Sequence, residues 1–266
     1  MRIASRHAEV VAALRNPDPA PGLDNRALHD GARALVVPAD WDQQWEQRFT
    51  AAGEECEAVR ELAEPMCLAL AASVVHMPVD EARTWAPVAA RLFGSEDEAR
   101  AAAVALMERL HDALLVQAFA ACAHSFAAFL GNAWLLLLEH PDEMTKLGAD
   151  PALLGTAIEE LLRLAGPSVA VFRPGLELRL SEANRDPGVF PEPDRLRLER
   201  GGTPGHVAFG AGPHACAGAG LIRQAARAPV LGFARHYAGR VLTFEASRHS
   251  GTRLSCVTSL KITRRC

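Results

Sequence analysis

Apolar residues return every three or four positions along most of the chain, the spacing of one buried helix face. The pattern is clearest in CEAVRELAEPMCLALAASVV, Cys56 to Val75. A short helix is predicted for SRHAEVVAALRNP near the start, ending at Pro17, with loops at NPDPAPGLDN and VVPAD. Ser95 ahead of acidic residues in GSEDEARAAAVALMERLHDALLV opens another helix. That helix runs toward, or directly into, a segment from Ala113 to Leu138 that carries no formal charge. HPDEM (His140 to Met144) breaks it, a helix from Pro151 to Leu164 comes after, and Gly166-Pro167 stops that one. The period then changes. SVAVF and LELRL read as strands, Gly218 to Tyr237 is helical again, and RVLTFEASRHSGTRLSCVTSLKITR reads as a β-hairpin with a broad connection. The expected architecture is mainly α with a small β portion in the second half, in a single domain over residues 1–266.

The uncharged stretch is long enough to span a membrane. Gln117, His124, Ser125 and Asn132 interrupt it, however, and its flanks are Asp112 and Glu139 rather than a basic cluster. A buried central helix, with no membrane association, is the expectation. Hydrophobic residues at 49% and charged residues at 23% exclude disordered, collagen-like and coiled-coil classes. A net charge of −4 gives no bias toward nucleic acid. The six cysteines form no C-x-x-C pair and no C-x-x-C-H, which excludes a zinc ribbon, a dithiol redox site and covalent haem attachment. They suit reduced thiols in a cytoplasmic protein. MRIASRHAEVVAALRNP has scattered charges and no apolar core, so it does not read as a secretory signal.

The densest cluster of unusual residues is HVAFGAGPHACAGAGLIR, His206 to Arg223. Three chemistries compete for it. Gly210-Ala211-Gly212-Pro213-His214-Ala215 matches the dinucleotide pattern G-x-G-x-x-G/A, but no Asp or Glu occurs between Cys216 and Phe244 to bind a ribose. His214 and Cys216 are both capable zinc ligands, but no second pair stands at ligand spacing. The third chemistry uses every unusual residue at once. A cysteine just before a helix N-terminus faces free backbone N–H groups that favour thiolate. Glycines at 210, 212 and 218 let the backbone fold around the sulfur and leave a flat face for a planar group. A thiolate axial ligand to haem iron fits such a loop.

Phe209-Gly210-x-Gly212-x-His214-x-Cys216-x-Gly218-x-x-Leu221-x-Arg223 resembles the haem-binding loop of the cytochrome P-450 superfamily. Other segments agree in order. Glu160-x-x-Arg163 is similar to the family's E-x-x-R helix, and ANRDP and FPEPDR fall where the family has its meander. The resemblance implies an abbreviated cytochrome P-450 fold with a long central helix over haem b (iron protoporphyrin IX), and Cys216 as the iron ligand. It also implies that Arg195 completes a buried, structural Glu160–Arg163–Arg195 cluster. Phe209, Gly210 and Gly218 shape the haem pocket, and Arg173, His214 and His206 contact the propionates.

The chain also departs from that pattern. Between Pro17 and Phe49 there is no counterpart of the helix that carries a propionate-binding His and Arg, with Trp41, Trp45 and Arg48 as substitutes. Between Gly94 and Ala113 there is no room for the usual pair of helices over the substrate pocket. The β-hairpin between Arg173 and Ala183 is cut to PGLELRLSE. The family's A-G-x-[D/E]-T signature falls on Ala121-Cys122-Ala123-His124-Ser125, so His124 and Ser125 stand where an acid and a threonine handle protons. A core histidine is the plainer reading of His124, and a general acid/base the functional one.

Three functions are compatible with these residues. The first is a haem-thiolate oxidoreductase, of monooxygenase type, acting on a small organic molecule in bacterial secondary metabolism with electrons from a ferredoxin-type partner. The partner would dock on Arg197, Arg200, Arg223, Arg227 and Arg235, unless these are scattered solubility charges. The second is a haem enzyme in which His124 acts on peroxide or drives a dehydration, isomerisation or cyclisation. The third is a non-catalytic auxiliary protein for another enzyme. With the roof reduced, a homodimer would cover exposed apolar surface.

Overall fold

The computed structural model describes residues 1–16, 25–200 and 205–265. Most of the loop predicted from Asn16 to Asn25 lies outside these residues, as do the Gly201–Pro204 part of the turn-rich stretch and Cys266. The helices are α1 (His7–Arg15), α2 (Asn25–Ala32), α3 (Trp41–Ala51), α4 (Glu64–Val74), α5 (Val79–Ala90), α6 (Glu96–Leu110), α7 (Ala113–Ala120), α8 (Ala127–Glu139), α9 (Pro141–Ala149), α10 (Leu154–Ala165), α11 (Leu180–Ala183), α12 (Ala219–Ala225) and α13 (Arg227–Tyr237). The strands are β1 (Arg2–Ala4), β2 (Glu55–Glu57), β3 (Ala170–Arg173), β4 (Leu176–Arg179), β5 (Leu242–Ser250) and β6 (Ser255–Arg264). They form two small sheets, ordered β1-β4-β3 and β2-β6-β5. The fold is mainly α with a small β portion, as expected. β1 and β2 are not legible in the sequence, because three-residue edge strands carry no periodicity of their own.

Local signals set most boundaries. Ser95 and Glu98 form a reciprocal cap, each satisfying the other's backbone N–H, and so start α6. α6 does not run into the uncharged segment. His111 turns left-handed at φ 56°, and the Asp112 carboxylate accepts from the Leu114 and Leu115 amides to open α7. Pro141 stands at the first turn of α9, where its missing N–H costs nothing. Gly175, at φ 72°, makes the tight turn joining β3 to β4.

α7 and α8 are one rod joined by a wide π-helical turn, Ala121–Phe126. By length and composition Ala113–Glu139 is the described helix apolar enough to cross a membrane. Here it runs through the protein core. Phe119, Phe126, Leu130, Trp134 and Leu137 are buried along it, and α4, α10, α13 and β6 pack around it.

Two expectations about missing parts change. Trp41 and Trp45 are core residues: Trp41 Nε1 donates to Ala225 O at 2.9 Å, and Trp45 packs on Trp41, Phe49 and Trp134. Arg48 is exposed, so these three side chains do not stand in for a propionate-binding set. The roof is reduced rather than absent. α6 occupies the Gly94–Ala113 interval and packs against α5, whose continuation brings Leu92 and Phe93 over an internal cavity.

Candidate active site

α10 begins the site. Its face toward the core carries Ile158, Leu161 and Leu162, but the same buried surface takes Glu160 and Arg163. Their side chains are 2% exposed and paired through two bonds of 2.7 and 2.8 Å. A buried pair persists only when its remaining donors and acceptors are met. Arg163 Nη1 donates to Asn184 O at 2.8 Å and Pro193 O at 2.7 Å, while Glu160 Oε1 accepts from Arg200 Nε at 2.9 Å and the Arg197 amide.

The second arginine of the cluster is therefore Arg200. Arg195 is two-thirds exposed and pairs with Glu192 instead. The chain path after Pro193 decides this, because Arg200 also donates to the carbonyls of Pro191, Glu192 and Arg195 and so closes the loop on itself. Asn184 connects the cluster to the glycine-rich loop. Its Oδ1 accepts from the buried Val207 amide at 2.7 Å. Sequence reasoning missed Asn184 and Arg200; the one available signal was Asn184's place inside ANRDP.

From Val207 the loop folds tightly. Gly210 N donates to Val207 O at 2.9 Å, Cys216 N to Phe209 O at 2.8 Å and Ile222 N to Gly218 O at 3.0 Å. Gly210 and Gly212 take φ of 71° and 72°, which L side chains rarely adopt. A Cβ on Gly212 would lie 2.7 Å from Arg15 Cα and Leu14 O. Gly212→Ala should thus cost more than the ~1 kcal/mol of a left-handed non-glycine residue, since backbone is what it strikes. A thermal melt that stays within a degree of wild type would refute this close packing of α1 on the loop.

Below the loop, Arg223 lies 4.8 Å over the Phe209 ring and pairs with both oxygens of Glu159 at 2.6 and 2.9 Å. His206 Nε2 stands 3.2 Å from Glu159 Oε2. Burial works against the charge on Glu159, but hydrogen bonds from His206 and Arg223 outweigh it and hold the carboxyl down at about 2. A carboxyl depressed below its unfolded value of 4.5 stabilises the fold above that pH, and the contribution is lost as pH falls from there toward 2. Glu159→Gln should therefore lower the melting temperature above pH 4.5 and flatten the acid side of the profile, so that the two proteins converge as pH falls toward 2. An unchanged acid limb would refute it.

The loop forms one wall of a cavity of about 510 Å³. Cys216, Ala217 and Gly218 line that wall; Ala121, Cys122, Ser125, Phe126 and Phe129 line another, with Leu92 and Phe93 above. Its few polar side chains include Arg173, at the end of β3, and His214. Burial raises the Cys216 thiol above its ordinary value, while the Gly218 amide and Arg223 pull the other way without winning. The helix start does not offset the burial of this sulfur; a bound cation would pull its value down.

The remaining expected site residues divide. Phe209, Gly210 and Gly218 line the cavity. His206 does not, being turned to Glu159, and so gives up its expected propionate contact. His124 does not line it either: its ring packs 5.2 Å from that of Phe93, and burial holds it below its ordinary pKa. The cause is the π-helical turn, which adds a residue to one turn and rotates the positions after it. Ser125 takes the lining position, its hydroxyl donating to Ala121 O at 3.1 Å.

No protein-family model matches the chain. It is 40% identical over 130 residues to cytochrome P450 144 of Mycobacterium tuberculosis, a match covering 43% of this chain and 30% of that relative. The biotin biosynthesis cytochrome P450 of Bacillus subtilis is 37% identical over 114 residues, covering 37% of this chain and 29% of its own length. The matched segments thus span under a third of these relatives. The fold agrees over a longer range. CYP164A2 of Mycobacterium smegmatis superposes with a TM-score of 0.84 over 98% of this chain and 90% of its own, at 20% identity. The LnmA cytochrome P450 hydroxylase of Streptomyces atroolivaceus gives 0.77 over 98% and 89%, at 22%.

The chain has the cytochrome P450 fold. The residues present fit the haem that this fold implies: one sulfur on the loop wall, two glycines beside it, and an arginine and a histidine in a mostly apolar lining. The Glu160–Arg163–Arg200 cluster holds the Cys216 loop through Asn184. Arg200 and Arg223 are occupied by Glu160 and Glu159, so neither belongs to the free basic surface expected of them.

Proposed function

We propose that this chain is a haem-thiolate oxidoreductase that oxidises a small, largely apolar organic molecule, with Cys216 as axial ligand of haem b. The observation that carries the reading is Cys216 on the wall of an apolar cavity, in a loop whose backbone is held by its own amides and by Asn184. When bound, the haem supplies the iron and the redox chemistry. The protein's part is positional. The Gly218 amide and the charge of Arg223 favour the ionised sulfur. Arg173 and His214 provide the polar groups for the haem carboxylates. Leu92, Phe93, Phe126 and Phe129 keep water from the reacting face. Ser125 holds a hydroxyl proton at that face, donated to Ala121 O.

Relatives named "Cytochrome P450 monooxygenase PikC" and "Vitamin D(3) 25-hydroxylase" support oxygen insertion as the reaction type. A ferredoxin-type donor and a cytoplasmic location complete the proposal. A structural neighbour solved with a fatty-acid-loaded acyl carrier protein adds a carrier-bound substrate to those worth testing. The peroxide-dependent and isomerising alternatives depend on His124, and with that ring against Phe93 nothing favours them.

Purification in the presence of haem tests the reading. A red protein whose reduced carbon monoxide adduct shows the red-shifted Soret band of thiolate ligation is expected; a colourless protein or an unshifted band would overturn it. Turnover with a ferredoxin and nicotinamide donor, compared with peroxide alone, separates the monooxygenase from the alternatives. His124→Ala should leave either rate within about twofold, as a residue off the cavity does.

A further inference from the structure

The cavity has a second sulfur. Cys122 lies on the π-helical turn, is 1% exposed and lines the cavity on the wall facing Cys216. No hydrogen bond reaches its Sγ among the described residues. The two thiols are near enough for charge on one to act on the other, and Cys122 in turn acts on Cys67 behind it in α4. The neighbouring polar group on this wall, the Ser125 hydroxyl, is already satisfied by Ala121 O. An S–H with no partner, walled in and facing a cavity, is a donor waiting for an acceptor.

The groups facing Cys122 are few. Cys67 packs from α4, Ser125 shares its turn, and Cys216 stands opposite; no charged side chain among the described residues acts on it. It remains neutral, as a hydrogen-bond donor and a soft, weakly coordinating sulfur, rather than a nucleophile.

We propose that Cys122 is the ligand-facing thiol of a two-sulfur site: it donates its S–H to the small ligand held opposite Cys216 and so selects compact ligands with an exposed acceptor atom. The proposal rests on the haem-thiolate reading for the identity of the ligand, but the placement of the sulfur stands apart from it.

The haem-free chain tests the placement. Methylmercury, a small soft cation whose affinity for sulfur displaces the proton of a neutral thiol, followed by mass mapping, should label both Cys122 and Cys216 and spare Cys67, which lies in the core away from the cavity. Modification of Cys216 with Cys122 untouched would overturn the proposal whatever the haem does. In the haem-loaded protein, cyanide binding to the ferric form should weaken about tenfold in Cys122→Ala, the effect of one hydrogen bond, and return in Cys122→Ser. The stretching band of bound carbon monoxide should move in the same order. Equal cyanide affinities and an unmoved band across all three proteins, each with a thiolate Soret band, would sink the proposal and leave the haem-thiolate reading standing. Absence of that band in wild type would sink the reading instead. Circular dichroism melts of both variants guard against mere misfolding, since the serine is nearly isosteric.

Discussion

Arg200→Ala is expected to lower the melting temperature by roughly 6–20 °C, whereas Arg195→Ala should hardly move it. Arg200 and Glu160 side chains are 6% and 2% exposed and 2.9 Å apart. Removing one partner of a buried pair costs about 3–5 kcal/mol, because the other charge is left stranded, and each kcal/mol is worth ~2–4 °C in a chain of this size. Arg195 is solvated and pairs only with Glu192, so its loss should stay within about 0.5 kcal/mol. Matched thermal melts decide between them. Equal destabilisation by the two substitutions would mean that Arg195, not Arg200, closes the cluster. A further consequence separates this cluster from a merely stabilising one. Glu160 holds Arg163, Arg163 holds the Asn184 carbonyl and Asn184 holds the Val207 amide, so Arg200→Ala should also loosen the loop that carries Cys216. In the haem-loaded protein that appears as faster haem loss to an acceptor at a temperature where the fold is intact.

Cys216→Ala should remove the thiolate Soret band entirely and bring turnover to background, with little effect on the haem-free fold. The side chain is only partly buried on the cavity wall, and the loop geometry is made by backbone bonds that alanine keeps, Cys216 N to Phe209 O and Ala219 N to Cys216 O. Only the ligand is lost. A variant that retains the red-shifted adduct would show that another sulfur ligates, and Cys122, the other cysteine lining this cavity, would be the one to remove next. A variant that fails to fold would show up in its circular dichroism spectrum before haem is added, which keeps the two explanations apart.

Much of the helical framework was legible because its signals are local. Ser95 ahead of acidic residues, the break at HPDEM and the stop at Gly166-Pro167 each act within a few residues, through caps and dihedral limits that need no partner elsewhere, whereas the break at His111–Asp112 was not read. The Cys216 loop was legible for the same reason: its glycines, His214 and the cysteine lie close together, and its backbone-to-backbone bonds run between residues less than ten apart. The long uncharged helix could be recognised as a helix, but composition could not distinguish a core from a membrane, since both reward the same side chains.

The order of the main helices, the turn that carries Cys216 and the pairing of Glu160 with Arg163 are all written in the chain itself, because each depends on spacing along one element. Folding in three dimensions settled the rest. Which arginine completes the cluster depends on how the segment after Pro193 folds back over forty residues of chain to Glu160. Which side chains face the cavity depends on one widened turn, since each residue advances a helix by about 100°. That turn sends His124 to Phe93 and brings Cys122 and Ser125 to the wall opposite Cys216. The physical reason is common to both cases. Spacing along an element is a local quantity, whereas the direction in which its side chains meet the rest of the molecule is set by packing.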